Sequence, residues 1–145
     1  MKGWLLDTNV VSELRKPRCD PNVRSWAARQ PASSFHLSCV TIAEIRFGID
    51  RVPPDDPFRH ALDLWLERTL RPWFAERILD IDEEVMVVWR RLVELGRGEG
   101  YTFAQPDLLI AATATVHDLQ VVTRNVGDFR RARVPVLDPW IDDRS

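Results

Sequence analysis

The chain has 145 residues, 45% of them hydrophobic and 29% charged, the make-up of one globular domain with its own core. No apolar run approaches the roughly 18 residues that cross a bilayer, Asp7 breaks the apolar start too soon for a signal peptide, and Cys19 and Cys39 offer neither a disulfide framework nor zinc spacing. A cytoplasmic protein with no membrane partner is expected, and a net charge of −2 excludes a uniformly basic nucleic-acid binder. Among the 20 basic residues, however, only Lys2 and Lys16 are lysines. Arginine suits bidentate contacts to phosphate, although genomic base composition produces the same bias.

Trp4-Leu5-Leu6, the polar triplet Asp7-Thr8-Asn9 and a second apolar-periodic stretch to Leu14 predict a buried strand, a tight turn and a helix. Asp7 reads either as that helix's cap or as a ligand group at the carboxyl end of a first strand, where open α/β sheets place their sites. After the basic break Arg15-Lys16-Pro17-Arg18, Asp20-Pro21 predicts the cap and first residue of a short helix through Trp26. Residues 35–38 alternate like a strand. Thr41 and Glu44 then make a capping-box pattern, which puts Glu44 in the first turn of the next helix. Asp56-Pro57 opens a helix with Phe58, Leu62, Trp65, Leu66 and Leu70 on one face, ending at Pro72.

Residues 78–81 suggest a third strand, and Asp82-Glu83-Glu84 begin an amphipathic helix with their charge favourable to its dipole. Gly96, Gly98 and Gly100 predict a flexible loop. The helix opened by Gln105-Pro106-Asp107 is apolar almost all round and therefore central, so a carboxylate at its start needs a partner. Residues 119–123 predict a strand running into Asn125 and Asp128, residues 134–137 a last one, and residues 138–145 a tail. This alternation predicts one α/β domain over residues 1–145, an α/β/α sandwich around a mostly parallel sheet of four to five strands.

Asp7, Glu44 and Asp128 each follow a predicted strand end, and parallel strands bring such ends to one edge; Asp107 joins them if its helix points that way. Two carboxylates about 4 Å apart repel by roughly 4 kcal/mol at an effective dielectric near 20. A cluster of this kind must take up protons or bind a cation. All-oxygen ligands favour a hard one, Mg²⁺ or Mn²⁺.

The segments 5–14 (LLDTNVVSEL), 41–49 (TIAEIRFGI), 107–114 (DLLIAATA) and 122–129 (VTRNVGDF) together resemble PIN-domain ribonucleases, above all the VapC toxins of bacterial toxin–antitoxin pairs and their FitB-like subgroup. The resemblance spans residues 3 to about 138. It implies a PIN-like fold and a Mg²⁺-dependent endoribonuclease, with Mn²⁺ as a substitute, whose catalytic and metal-binding acids are Asp7, Glu44, Asp107 and Asp128. Thr8, Asn9 and Asn125 become supporting polar groups. In such a site a water made acidic by the ion attacks phosphorus in line. The resemblance also implies a homodimer, a cognate VapB-like antitoxin, operator DNA reached only through that antitoxin, and transfer RNA as the expected substrate.

Arg124, Arg130, Arg131 and Arg133 are the candidate RNA contacts beside the fourth acid, with Arg15, Lys16 and Arg18 second. A solvated charge run explains them equally well. The helices carrying Trp26, Phe47, Phe58 and Trp65 are candidate walls of an antitoxin groove, with Phe47 and Trp65 as its contact residues; aromatic residues at helical spacing also serve as core. Two other readings stand beside the nuclease. A haloacid-dehalogenase-type hydrolase wants a second aspartate where Asn9 stands. A degenerate, non-catalytic PIN domain acting as a binding module gains nothing from four retained acids.

Overall fold

The structure is a computed structural model and describes residues 3–141. Five short strands form an all-parallel sheet in the order β3-β2-β1-β4-β5: β1 (Trp4–Leu6), β2 (Phe35–Ser38), β3 (Ile78–Leu79), β4 (Gln120–Val122) and β5 (Val136–Leu137). Side chains alternate along each strand. Trp4, Leu6, Phe35, Leu37 and Val122 therefore pack in one apolar cluster with Trp26, while Leu5 and Val121 join Leu108, Ala111 and Phe129 in a second. The chain leaves β1 for β2 on one side and reaches β4 on the other. The strand order thus reverses between β1 and β4, which opens a crevice at their carboxyl ends.

The first cluster is covered by α1 (Thr8–Arg15), α2 (Pro21–Ala28), α3 (Cys39–Asp50) and α4 (Pro57–Trp65). The second is covered by α6 (Glu83–Gly98), α7 (Gln105–His117) and α8 (Gly127–Arg131). Asp20, Asp56 and Asp82 cap α2, α4 and α6 through backbone N–H groups, with Pro21 and Pro57 at first helical positions.

Several expectations are corrected. Ser38, whose hydroxyl accepts the Val40 N–H at 3.0 Å, caps α3, so Glu44 lies in the second turn and no capping box forms. Pro72 does not end its helix. The chain passes through a π turn at Leu66–Leu70 into α5 (Arg71–Phe74), where Pro72 stands in the first turn and lacks no needed N–H; the break comes at Ala75, φ 25°. The Gly96 and Gly98 positions belong to α6, leaving only residues 99–104 as the loop before α7. Trp26 is fully buried and is core. Of the expected tail, Trp140 packs on the first cluster and its carbonyl accepts from Asn22 at 2.7 Å, while residues 142–145 lie outside the described residues. Among the described residues no helix is long and apolar enough to cross a membrane.

Candidate active site at the strand switch point

Asp7 follows β1 directly and is both things the sequence allowed. It caps α1, accepting the Thr8 N–H on Oδ1 at 2.8 Å, and it sits 5% exposed in the β1/β4 crevice. Its Oδ2 accepts the Thr123 hydroxyl at 2.8 Å from the end of β4. Thr123 Oγ1 in turn accepts Asn9 Nδ2 at 3.2 Å and the Asn125 N–H at 3.0 Å. One donor and two acceptor positions are then all used. Asn9 Oδ1 receives the Arg124 N–H at 3.3 Å, so Asn9 stitches the β1 turn to the β4 turn. Asn125 is exposed and enters this network through its backbone.

Thr8 donates its hydroxyl to Glu44 Oε1 at 2.6 Å, which brings the α3 acid to the same edge. Asp107 stands in the first turn of α7. Burial is the main cause that pushes its carboxyl up to about 7, followed by the charges of Asp7 and Asp128, a hydrogen bond to Asp128, and Glu44. The four acids therefore share one electrostatic site. Burial also raises Asp7, against the Thr123 and Thr8 hydrogen bonds that lower it. Asp128, in α8, is held from the loop before α7: Tyr101 donates its hydroxyl to Oδ1 and the Ala104 N–H donates to Oδ2 at 3.0 Å.

Among the described residues no three His, Cys, Asp or Glu side chains are disposed to hold one ion as they stand. Mg²⁺ is bound through one or two carboxylates and keeps its waters, and each oxygen of Asp7 retains a lone pair beyond its one hydrogen bond. An all-oxygen donor set with excess negative charge in a partly buried crevice fits such an ion.

The expected arginines are less uniform than a basic run. Arg124 stacks on Trp140 with its guanidinium 5.0 Å from the ring centroid, and Arg131 lies 4.4 Å over Tyr101. Arg133, at φ 62°, pairs with Glu99 at 3.4 Å. Arg130 is exposed. Thr123 and Tyr101 were not anticipated as site residues. Thr123 was visible as the one hydroxyl closing an apolar strand; Tyr101, the chain's single tyrosine, looked like part of a mobile glycine loop.

An all-parallel α/β sheet with four acids gathered around its switch point defines the class: a small α/β protein with an acidic crevice at the carboxyl ends of β1 and β4. The chain belongs to the PIN-domain family, whose model matches residues 4–135, and its relatives place it with the FitB/VapC toxins. It is 37% identical to Toxin FitB of Neisseria gonorrhoeae over 138 residues, covering 95% of this chain and 99% of that one. It is 34% identical to VapC ribonuclease Y4jK of Sinorhizobium fredii over 136 residues, covering 94% and 96%. The solved structure of FitAB bound to IR36 DNA superposes with TM-score 0.89 at 34% identity, covering 97% of this chain and 98% of that one.

Proposed function

We propose that this chain, a single PIN domain, is a divalent-metal-dependent endoribonuclease acting as the toxin of a VapBC-type pair in the cytoplasm. Mg²⁺, or Mn²⁺ in its place, is the cofactor, and transfer RNA is the substrate class. The observation that carries the reading is the gathering of Asp7, Glu44, Asp107 and Asp128 at the strand switch point, where burial, and then Asp7, Asp128 and Glu44, push the Asp107 carboxyl up to about 7. A bound divalent ion supplies what the site lacks: it polarises a phosphate oxygen and makes a water acidic enough to attack phosphorus.

The chain's own residues do the rest. Thr8 and Thr123 fix the Asp7 carboxylate rigidly at the strand end, so its remaining lone pairs face a defined direction. Thr8 fixes Glu44 in the same way, leaving Oε2 to orient or accept a proton from the attacking water. With its charge compensated, Asp107 would give up its proton, and Asp7 and Asp107 are the residues that would hold the ion. No histidine is needed, because the RNA 2′-hydroxyl is not the nucleophile.

The antitoxin is placed on the flank next to the acids. One groove of about 270 Å³ runs from Thr8 and Glu44 past Ile45 and Gly48 to Phe58, Leu62 and Trp65. A second, of about 180 Å³, continues past Leu14, Arg15 and Trp65 to Trp73. Arg15 divides them, lying 5.7 Å from the Phe58 ring and 5.8 Å from the Trp65 ring. Phe47 is 63% exposed but lines neither groove, so Trp65 is the stronger of the two contact residues. Pairing with a second copy, and contact with operator DNA through the antitoxin, complete the assembly; a relative's structure, FitAB bound to IR36 DNA, supports the DNA contact of such a complex.

The test is cleavage of a total RNA pool by antitoxin-free protein with Mg²⁺, Mn²⁺ or EDTA, beside Asp7→Asn. Discrete fragments that need the metal are expected, with at least about a thousandfold loss in Asp7→Asn. No cleavage by folded wild type with either metal would favour the binding-module reading.

A further inference from the structure

Tyr101 is placed by backbone geometry. A Cβ on Gly96 would stand 2.7 Å from the Tyr101 carbonyl oxygen, so only glycine in the last turn of α6 lets residues 99–104 fold back against that helix. The Tyr101 N–H donates to the Gly96 carbonyl at 2.8 Å, and Gly100 supplies the left-handed turn at φ 67°. The ring is then fixed from two sides. Phe103 meets it edge-on with centroids 4.8 Å apart, and the Arg131 guanidinium covers it at 4.4 Å. What this packing aims is the hydroxyl, which reaches Asp128.

Asp128 differs from Asp7 in what holds it. Asp7 is held at the crevice by Thr8 and Thr123 of the two switch-point strand ends, whereas Asp128 accepts on both oxygens from one loop, the loop that delivers Asp107. We propose that Tyr101 is a positioning residue that clamps Asp128 beside Asp107 and fixes the direction in which its remaining lone pairs face the site. The clamp has a mechanical consequence. It ties α8 to the start of α7, so the fourth acid and the third move as one unit. Groups that orient a metal site from outside the ligand set typically change affinity or activity 10–100-fold.

This inference rests on the nuclease reading for its kinetic arm only. Because Tyr101 is the sole tyrosine, ring-Cζ ¹³C-tyrosine labelling gives one NMR signal that reports its hydroxyl's hydrogen bond. In metal-free protein that signal is expected to shift in Asp128→Ala, and in wild type to stay in place when saturating Mg²⁺ is added. If Mg²⁺ moves the wild-type signal to the Asp128→Ala position, Asp128 has left the hydroxyl and the clamp is wrong. Should Asp128→Ala not fold, Asp128→Asn gives the reference shift.

The kinetic arm uses Tyr101→Phe, which keeps the ring and its Arg131 and Phe103 contacts. A fall in kcat of about tenfold with KM for RNA within about twofold is expected. On an Asp128→Ala or Asp128→Asn background the same change should add nothing to the loss in Mn²⁺ affinity. An equal further loss there would mean that Tyr101 acts independently of Asp128, which overturns the proposal. Wild type that cleaves no RNA would remove the nuclease reading and leave the NMR result to decide the clamp by itself.

Discussion

At the β1/β4 crevice Asp7 is 5% exposed and accepts from Thr8 and Thr123, whereas on the adjoining flank Phe58 and Trp73 stand 49% and 53% exposed along apolar grooves. The two regions meet at Thr8 and Glu44, which belong to the acid network and also line the first groove. One surface buries charge that water would rather keep; the other shows water apolar area that burial would favour. The chemistry of the first suits a cation and that of the second an apolar chain segment. A segment lying in the groove would also reach the acids. On the proposed reading, an antitoxin in this groove would inhibit by adjacency, without any conformational relay.

The largest effect expected is on the acid side. Asp107 has its ordinary value at 3.8 and is pushed up to about 7 in the fold, chiefly by burial and then by the other acids. An acid raised in this way binds its proton more tightly folded than unfolded. The contribution of Asp107 to the stability of the metal-free protein, read as the difference between wild type and Asp107→Asn, should therefore be greatest below about pH 4, fall as pH rises towards 7, and level off above. Mn²⁺ must displace that proton, so its affinity should rise about tenfold per pH unit across the same window. Melting in EDTA and calorimetric Mn²⁺ titration between these limits measure both slopes. Asp107→Asn should flatten the stability slope and abolish the pH dependence of any residual ion binding. A wild type and Asp107→Asn whose melting responds equally to pH in this range would mean that the Asp107 carboxyl is not raised by its surroundings.

On the aromatic flank the expected change is smaller. Trp65 borders both grooves while also packing on the first core cluster, so binding and folding must be read separately. Trp65→Ala is expected to weaken a cognate antitoxin peptide about 30-fold, the size of an interface hot spot near 2 kcal/mol, in protein that still melts cooperatively. Unfolding without any specific loss of binding would return Trp65 to the core. Phe47→Ala serves as the contrast. Its ring is exposed, contacts Arg51 at 5.3 Å and lines neither groove, so stability should stay within about 0.5 kcal/mol and binding should change little.

The sequence made the crevice more legible than the flank, for a physical reason. Strand ends, proline-opened helices and single acids leave local marks, and Asp7, Asp107 and Asp128 were found from those marks next to a strand or a helix start. Glu44 was found from its place after a strand end, whereas the capping box expected for it does not form, because Ser38 caps its helix and Glu44 meets Thr8 instead. Where the outcome depends on packing between distant segments, local reading failed. Pro72 fits a π turn that periodicity does not announce, and Gly96 is a close-approach glycine inside a helix, not a hinge. Trp26 looked like Trp65 in the sequence; the difference is that Trp4 and Phe35 close over Trp26 from the sheet, at 5.2 and 5.7 Å between centroids.

The arginines beside the fourth acid give the smallest and most selective test of the contrast between the two surfaces. Had they been a uniform basic run, any one would serve RNA equally well. Their partners separate them: Arg131 covers Tyr101, Arg133 pairs with Glu99, and Arg130 is exposed one helical turn from Val126. A guanidinium already engaged has less to gain from a phosphate, so Arg130→Glu should weaken RNA binding more than Arg133→Glu. Each phosphate contact to a single strand contributes about 0.7 to the slope of log affinity against log salt. Arg130→Glu is thus expected to lower that slope by about 0.7 and binding by several-fold near physiological salt, measured in EDTA so that cleavage does not intervene. Arg133→Glu should leave the slope nearly unchanged. Equal slopes for Arg130→Glu and wild type would move the RNA path off α8, towards Arg124 and the Arg15 side, where the same strand would have to share the flank assigned to the antitoxin.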